Sequence, residues 1–378
     1  MSILINQLDE HNEANIMASI NNNNIQKVVF LYTKDQMALM ESLAAYYKLN
    51  FTKIEVELNL VNIGDTKQLN EIVSRYEGKE LIVNLTGGKR INSLILLNIC
   101  REKNIQSIYI DIKNKISYKF TDQITFEEAE IKDLDIDSII KTTGGKVIED
   151  SSDLCKKDDL VYLSKAIYHN LNLWNKHKLK LYDSSIIKHD EIDSSKIYII
   201  KDKLNEEDLK LLFIVLEKLK EMNELFYKEL KSTIEIKFLN DYIKGFIFKS
   251  GTWLEIATNN LINKIKEIDE SKNGLIFLWN NENRTVRNEL DVVAVKDSVT
   301  ICISCKDSDK YNEMALNELN VYANKIGGKS VYKILVATKE PVKLPVKTRA
   351  KEMGINLVIF DGDEEKFIRS IRAIINGE

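Results

Sequence analysis

Short apolar runs alternate with stretches of helical period along the first 120 residues of the chain. Such an alternation is typical of βα units and of a parallel sheet. We therefore predict an open, doubly wound, Rossmann-like α/β domain over residues 1–145, with a further hairpin strand at Ser117–Thr121. The predicted parallel strands are Ile3–Asn6, Val28–Tyr32, Phe51–Val56, Leu81–Leu85 and Ile105–Ile110.

The pattern of apolar runs changes to a polar zone near the end of this domain. A short predicted helix, Ile136–Lys141, is ended by Gly144 and Gly145, and we place the first domain boundary there. Residues 146–245 predict a mostly helical connector. One of its helices begins after Asn205, with Asp208 at the third position after this cap.

Residues 246–378 predict a second α/β domain, with a mixed sheet. A helix from Trp253 to about Ile268 precedes an antiparallel group of strands, in which polar turns stand at Asn280–Thr285 and Asp297–Ser298. Helices and strands then alternate to the end of the chain. The predicted strands of this domain are Leu275–Trp279, Leu290–Val295, Val299–Cys305, Val331–Ala337 and Leu357–Phe360.

Composition narrows the class of protein. A chain of 378 residues with 44% hydrophobic and 30% charged residues is globular and long enough for two domains. Its net charge of -4 gives no overall basic field, so a nucleic-acid surface must be local. The sequence shows no signal-peptide pattern and no apolar run of the ~18 to 20 residues that cross a bilayer, so we expect a cytoplasmic protein without a membrane partner.

Carboxylates and a lysine are spaced along two predicted strands as metal-assisted phosphodiester hydrolysis requires. Side chains alternate across a strand, so Glu289 and Asp291 share a face, as do Ser304 and Lys306. If the strands pair as a hairpin, Asp291 and Lys306 converge at one end of it. A carboxylate there can hold a hard divalent cation that activates a water, and the ammonium can orient that water. Glu255 on the preceding helix is the candidate second carboxylate.

Each of these residues also has a plainer interpretation. Thr252-x-x-Glu255 is a capping-box pattern, in which the carboxylate only satisfies the start of a helix. Asp291 alone is compatible with a surface acid beside a turn, and Lys306 alone with a solvated strand end.

Three segments in order resemble the parts of a PD-(D/E)xK restriction-endonuclease-like domain: Gly251-Thr252-Trp253-Leu254-Glu255, Glu289-Leu290-Asp291-Val292-Val293 and Ile303-Ser304-Cys305-Lys306. The resemblance implies a metal-dependent nuclease that cleaves DNA, RNA or both. It implies four catalytic residues, Glu255, Asp291, Ser304 and Lys306. The metal ligands that it implies are Glu255, Asp291 and the Cys305 carbonyl.

The chain departs from that family pattern at Ser304, where such folds usually carry Asp or Glu. A hydroxyl binds a divalent ion less well than a carboxylate does and carries no charge. We expect manganese or magnesium to serve the site, and Ser304 favours manganese, which is more readily dehydrated; Glu289, on the same face as Asp291, is the candidate substitute ligand. Cys302-x-x-Cys305 is not predicted to bind zinc or to act in redox chemistry, because the two thiols of a strand point to opposite faces at this spacing.

A second candidate site follows the strand Leu81–Leu85, where Thr86-Gly87-Gly88-Lys89-Arg90 opens a helix. Glycines let backbone amides approach a phosphate, and a helix N-terminus favours an anion. The pattern is neither a P-loop nor a dinucleotide fingerprint, so a tight strand-to-helix turn is the alternative. Open α/β sheets bind ligands beyond their strand ends, so Gln7–Asn12 and Thr33 are expected to border the same crevice.

This turn, in a Rossmann-like domain, resembles CARF domains, the cyclic-oligoadenylate sensors of type III CRISPR defence. The two resemblances together indicate a CARF-domain ancillary nuclease, which acts on DNA and RNA when cyclic tetra-adenylate binds. Because that ligand is two-fold symmetric, the resemblance implies a site that straddles the axis of a homodimer. The implied ligand-binding residues are Thr86, Gly87, Gly88, Lys89 and Asn92, with Gln7, Asn12 and Thr33 added by position.

Two other functions stay open. A non-catalytic regulator would sense the nucleotide and only bind nucleic acid through its C-terminal domain, and Ser304 favours this alternative. A nucleotide-dependent enzyme that used the Rossmann-like half would lack both a dinucleotide fingerprint and a histidine-containing triad.

Overall fold

The computed structural model describes residues 2–22, 24–248, 251–279 and 286–377. The predicted turn Asn280–Thr285 lies outside the described residues. Within the described ranges, no helix combines the length and apolar character that a membrane crossing requires.

The N-terminal domain is built on a seven-stranded sheet of order β3-β2-β1-β4-β5-β6-β7. Its first five strands are parallel, as the sequence predicts, and its last two form an antiparallel edge, of which the sequence analysis predicts only the strand at Ser117–Thr121. The strands are β1 (Ser2–Gln7), β2 (Ile25–Tyr32), β3 (Glu55–Leu60), β4 (Glu80–Asn84), β5 (Gln106–Asp111), β6 (Ile116–Phe120) and β7 (Ile124–Glu128).

The third strand lies later than predicted. The apolar run Phe51–Val56 overlaps β3 only at its end, because Phe51 follows a helix and packs its ring against Tyr47, with ring centroids 4.8 Å apart. Helices cover both faces of the sheet, which is the doubly wound arrangement. These helices are α1 (Glu13–Asn21), α2 (Met37–Asn50), α3 (Thr66–Ser74) and α4 (Arg90–Glu102).

The connector contains strands as well as helices. A four-stranded antiparallel sheet of order β11-β12-β10-β9, which the sequence analysis does not predict, packs beside the helices. Its strands have three to six residues, and Thr233–Phe238 alternates polar and apolar side chains, so a period-two signal for this strand was available in the sequence. The Asn205–Asp208 capping box is present. The connector elements are α5 (Ile136–Thr142), β8 (Lys146–Glu149), α6 (Asp158–His169), α7 (Leu171–His177), β9 (Ile187–His189), β10 (Lys196–Ile200), α8 (Glu206–Glu221), β11 (Leu225–Glu229), β12 (Thr233–Phe238) and α9 (Asp241–Phe248).

The C-terminal domain has a mixed six-stranded sheet of order β17-β16-β15-β14-β13-β8, so the chain enters this sheet already at residue 146. The first helix ends at Ile262 rather than near Ile268, because the Ile265 amide donates to the Ile262 carbonyl in a tighter turn. The elements are α10 (Thr252–Ile262), β13 (Glu270–Leu278), β14 (Asn288–Lys296), β15 (Val299–Lys306), α11 (Glu313–Gly327), β16 (Tyr332–Ala337), α12 (Leu344–Glu352), β17 (Ile355–Ile359) and α13 (Glu364–Asn376).

One hydrophobic core joins the two sheets. Ile136, Ile139 and Ile140 of α5 are buried in a cluster that contains residues of α1 and α2 and also of β13, β14 and α11. Polar contacts line the same junction: the Lys115 ammonium lies 2.7 Å from Asp297, and the Leu134 amide donates to the Ser298 hydroxyl. The N-terminal and C-terminal domains therefore share buried apolar surface, with α5 between them.

Ile139→Ala removes buried methyl groups from that junction and should destabilise the protein by roughly 2–5 kcal/mol. Calorimetric unfolding of the full chain measures the change. Ile124→Ala is the matched control, because Ile124 is 59% exposed on β7 and its loss should cost little. Equal shifts in unfolding temperature for the two variants would show that α5 is not a central packing element.

Candidate active site and candidate activator pocket

Asp291, Ser304 and Lys306 meet at one end of the hairpin formed by β14 and β15. The paired register of the two strands ends at Val292 and Ile303, and Asp291 is the next residue of β14 beyond it. Its Oδ2 accepts a hydrogen bond from the Cys305 amide at 2.6 Å and one from the Ser304 hydroxyl at 3.1 Å. The Lys306 ammonium lies 3.7 Å from the same oxygen. A hydroxyl, a backbone amide and an ammonium thus surround one oxygen of the Asp291 carboxylate.

Glu255 approaches this point from α10. Burial raises the pKa of the Cys305 thiol well above its ordinary value, and the charges of Asp291 and then Glu255 raise it further. Both carboxylates therefore act on the same buried thiol. Gly251 caps α10 in a left-handed conformation (φ 100°), so Thr252 is the first helical residue and the predicted capping box does not form.

The donors present fit a hard divalent cation that keeps part of its water shell. Within the described ranges, no group of three or more His, Cys, Asp and Glu side chains could hold a metal ion by itself. Magnesium and manganese sites of nucleic-acid enzymes commonly use one or two carboxylates, with water and substrate phosphate completing the shell. Asp291, Glu255 and the Cys305 carbonyl are such a set, whereas the raised pKa of the Cys305 thiol keeps it protonated.

Ser304 lies in the position that is usually acidic in such domains, and here its hydroxyl donates to Asp291. The residue is buried, and its hydrogen bond holds the carboxylate in place. Glu289 is exposed, pairs with Ile276 of the neighbouring strand, and lies two positions before Asp291 at the same end of β14.

The two strand cysteines are both buried and lie on opposite faces of the sheet. Cys302 packs in the core shared with the N-terminal domain, and Cys305 packs on the connector side. Burial raises the pKa of the Cys302 thiol to about 12.

The sequence analysis does not identify Asp307, a buried aspartate next to Lys306. Asp307 accepts hydrogen bonds from the indole N–H groups of Trp174 and Trp253 at 2.7 and 2.9 Å. The Lys178 ammonium lies 2.7 Å from its Oδ1 and also donates to its backbone carbonyl, and Thr338 donates to Oδ1. The connector thereby fixes the residue that follows the candidate catalytic lysine. No sequence signal marks these partners, because Trp174 and Lys178 lie about 130 positions away.

The turn Thr86–Lys89 lies where the strand order of the N-terminal sheet reverses. β1 is paired with both β2 and β4, so the loops after β1 and β4 are neighbours, as Rossmann-like topology predicts. Gly88 has φ +81°, and its amide donates to the Asp9 carboxylate at 3.1 Å. A Cβ at Gly87 would lie 2.9 Å from the Gln7 carbonyl, so the close approach requires glycine there.

The other predicted ligand-binding residues of this turn have structural partners. Thr86 donates through its hydroxyl to Asn84 and accepts from the Ile110 amide, while Asn92 accepts from the Gly64 amide. The Lys89 ammonium is half-exposed and lies 3.9 Å from Asp35.

Three predicted residues lie in the neighbouring loops. Asn12 is fully buried and bonded to Asp9, Asn15 and the Thr142 carbonyl. Thr33 holds a short turn through Asp35 and Gln36. Gln7 donates to Ser93, and its Oε1 is buried without a hydrogen-bond partner among the described residues.

A cavity of about 1140 Å³ opens beside the turn, which exceeds the volume of most small-molecule pockets. Thr86, Gly87 and Gly88 line it, together with Asp9 to His11, Glu13 to Asn15 and the loop after β5. Asn12 is not among the lining residues. The cavity therefore includes part of the predicted ligand-binding set, and Lys89, Asn92, Gln7 and Thr33 lie outside its lining.

Buried asparagines hold this edge of the sheet. Asn84 donates to Asn6 at 3.0 Å and to Asn15 at 3.1 Å, and it accepts from the Thr86 amide. Asn6, Asn15 and Asn84 are almost completely buried. Asn6 and Asn84 lie at the ends of apolar strands, and this was a signal available in the sequence, since buried amides need partners.

The C-terminal domain is similar to a known family of nuclease domains. Residues 244–375 match the family model described as Card1-like, endonuclease domain. No curated protein matches the chain. The match covers the segment that carries Glu255, Asp291, Ser304 and Lys306, and it shows an endonuclease-type domain.

Solved structures share the fold of the entire chain. Protein VC1899 from Vibrio cholerae has a TM-score of 0.77 and 17% identity, covering 99% of this chain and 98% of its own. Can2 from Sulfobacillus thermosulfidooxidans, solved in complex with cyclic tetra-adenylate, has a TM-score of 0.74 and 18% identity, with both chains covered completely. A type III CRISPR defence DNA nuclease activated by cyclic oligoadenylate has a TM-score of 0.53 and 12% identity over 97% of this chain and 51% of its own.

These findings confirm the predicted fold class and the resemblance to the CARF-domain nucleases of type III CRISPR systems. The chain combines a Rossmann-like N-terminal domain with an endonuclease-type C-terminal domain.

Asp307→Ala should destabilise the protein by about 3–5 kcal/mol, because it leaves the buried Lys178 ammonium without its carboxylate. Lys306→Ala, one position earlier, removes a side chain that is 32% exposed and should change stability little. Thermal unfolding of both variants checks the contrast. A similar loss of stability in the two would contradict a specific role for the Asp307 network.

Proposed function

We propose that the protein is a metal-dependent endonuclease that a cyclic oligoadenylate activates in type III CRISPR defence. The observation that carries the proposal is the convergence of Asp291 and Lys306 at the end of β14 and β15, inside the segment similar to Card1-like endonuclease domains. The shared fold with Can2, which binds cyclic tetra-adenylate, supports the activator.

Asp291, Glu255 and the Cys305 carbonyl would hold a divalent ion, which when bound lowers the pKa of a water and offsets phosphate charge. The Lys306 ammonium, 3.7 Å from Asp291, orients the attacking water and the scissile phosphate. Ser304 and the Cys305 amide fix one oxygen of Asp291 by hydrogen bonds. Because Ser304 supplies no charge, we propose manganese as the preferred ion and magnesium as the weaker one.

The activator would bind at the turn Thr86–Lys89. Exposed amides at the start of α4 and the cations of Lys89 and Arg90 suit its phosphates. Cyclic tetra-adenylate is the ring size that the fold shared with Can2 supports.

A homodimer would complete this site, since a two-fold symmetric ring offers the same groups to two copies of one loop. Exposed apolar side chains next to the turn support such an interface. Ile63 is 56% exposed, Ile91 48% and Leu94 63%, and the Asn92–Gly64 hydrogen bond ties their two segments together. DNA and RNA are both candidate substrates, because the site addresses the phosphodiester backbone.

A non-catalytic regulator is the second candidate. The specific observation in its favour is Ser304, which leaves only Asp291 and Glu255 as candidate carboxylate ligands at the site. Such a protein would bind nucleic acid without cutting it.

The deciding experiment incubates the full chain with supercoiled plasmid or labelled single-stranded RNA and manganese, with and without cyclic tetra-adenylate. We expect cleavage that depends on both manganese and the activator. Lys306→Ala should abolish cleavage while the affinity for the activator stays unchanged. Cleavage without the activator would support the nuclease activity and contradict activation by cyclic tetra-adenylate. Binding of nucleic acid without cleavage would favour the non-catalytic regulator.

Lys89→Ala should weaken binding of the activator about tenfold, as expected for the loss of one charged hydrogen bond. Titration of labelled cyclic tetra-adenylate measures the affinity. The manganese-induced shift in unfolding temperature should stay at the wild-type value, because Lys89 belongs to the other domain. An unchanged affinity would place the pocket elsewhere.

A further inference from the structure

We propose that the nuclease domain forms one wall of the activator pocket, so that the bound ligand touches both domains. The inference rests on the proposed function, because it concerns the same activator. It goes further by assigning ligand contacts to the turn Gly327–Ser330 after α11, and in particular to Lys329.

The cavity beside Thr86–Gly88 is lined from both domains. The N-terminal domain contributes the loops after β1, β4 and β5, and the C-terminal domain contributes Ser298 to Thr300 and Gly327 to Ser330. Its cationic lining residues are Arg90 and Lys113 from the N-terminal domain and Lys329 from the C-terminal domain, and its acidic lining residues, Asp9, Glu10, Glu13 and Asp111, all belong to the N-terminal domain. A polyanionic ring in this cavity would meet a cation on each side, and its binding would depend on how the two domains sit.

The two walls are in direct contact at His11 and Gly328. Gly328 has φ +60°, and a Cβ built on it would lie 2.6 Å from Cδ2 and 2.9 Å from Nε2 of the His11 ring. The His11 ring therefore occupies the space that the missing side chain leaves. Any movement of the loop after β1 changes the packing at this point.

The same loop is tied to the turn that would bind the ligand. Asp9, two residues before His11, accepts a hydrogen bond from the Gly88 amide at 3.1 Å. A phosphate that takes this amide must displace the Asp9 carboxylate, because both are anions and compete for one donor. Displacement of Asp9 then moves His11 against Gly328.

On the side of the C-terminal domain, the residues at this contact pack against β15, the strand that carries Lys306. A Cβ at Gly327 would lie 2.5 Å from the Thr300 hydroxyl, so the end of α11 packs closely on the start of β15. β15 ends at Lys306, and α11 begins at Glu313. The segment 299–327 thus begins and ends at the cavity wall, and Lys306 lies between these two points.

Lys329→Met tests the ligand contact. We expect about tenfold weaker binding of labelled cyclic tetra-adenylate, the change typical of one lost charged contact. Lys325→Met is the matched control, because Lys325 lies four positions earlier, in the last turn of α11, but not in the cavity lining. Equal affinities for the two variants would overturn the proposal.

Gly328→Ala tests the contact between the walls, and Gly354→Ala is its control. Both positions have positive φ, +60° and +64°, but a Cβ at Gly354 has open space around it. Hydrogen exchange of residues 313–327 is followed with and without cyclic tetra-adenylate. We expect a ligand-induced change in the wild type and in Gly354→Ala, its loss in Gly328→Ala, and its partial return in the double variant His11→Ala/Gly328→Ala.

The outcomes separate this inference from the proposed function. One outcome is that cyclic tetra-adenylate binds and activates, but hydrogen exchange in 313–327 responds equally in Gly328→Ala and Gly354→Ala. The proposal that both domains line the pocket is then wrong, and activation by cyclic tetra-adenylate still holds. If cyclic tetra-adenylate does not bind the wild type, the activator is wrong and the inference falls with it.

Discussion

The packing of α5 between two sheets is the constraint on which the arrangement of both sites depends. Ile136, Ile139 and Ile140 are buried against helices of the N-terminal domain and strands of the C-terminal domain. Because close-packed interiors transmit small displacements instead of absorbing them, the two sheets cannot shift independently without loss of this core. The packed core therefore fixes the relative position of Gly88 and Gly328 across the cavity. A ligand bound there would contact two domains that cannot move apart without disturbing this core.

Each candidate site is held by a buried polar network. At the pocket, Asn6, Asn15 and Asn84 satisfy one another and fix the turn, while at the nuclease site Asp307 is satisfied by two indoles, Lys178 and Thr338. A buried polar group without partners costs free energy, so such networks specify one arrangement of the chain. At the end of β15 the network fixes Asp307, the residue that follows Lys306.

Long periodic elements could be predicted from the sequence, and short or tertiary features could not. The apolar runs of β1, β2, β4, β5 and β15 and the cap of α8 agree with the structure, because burial and local hydrogen bonds determine them. Among the connector strands, β9 has only three residues, whereas the alternation of β12 was a signal available in the sequence. β3 is displaced because Phe51 packs on Tyr47 at the end of α2. The meeting of Asp291 and Lys306 followed from strand alternation, whereas the partners of Asp307 depend on packing between distant segments.

The contacts that hold the candidate nuclease site consequently extend beyond the segment that is similar to Card1-like endonuclease domains. Residues 244–375 contain Glu255, Asp291, Ser304 and Lys306, but Trp174 and Lys178, which hold Asp307, lie in the connector. Without the connector, the buried Asp307 would lose the ammonium that balances its charge, and the end of β15 would lose its anchor. A separate domain would thus keep the reactive side chains and lose part of the structure that positions them, which gives the connector a role although no motif marks it.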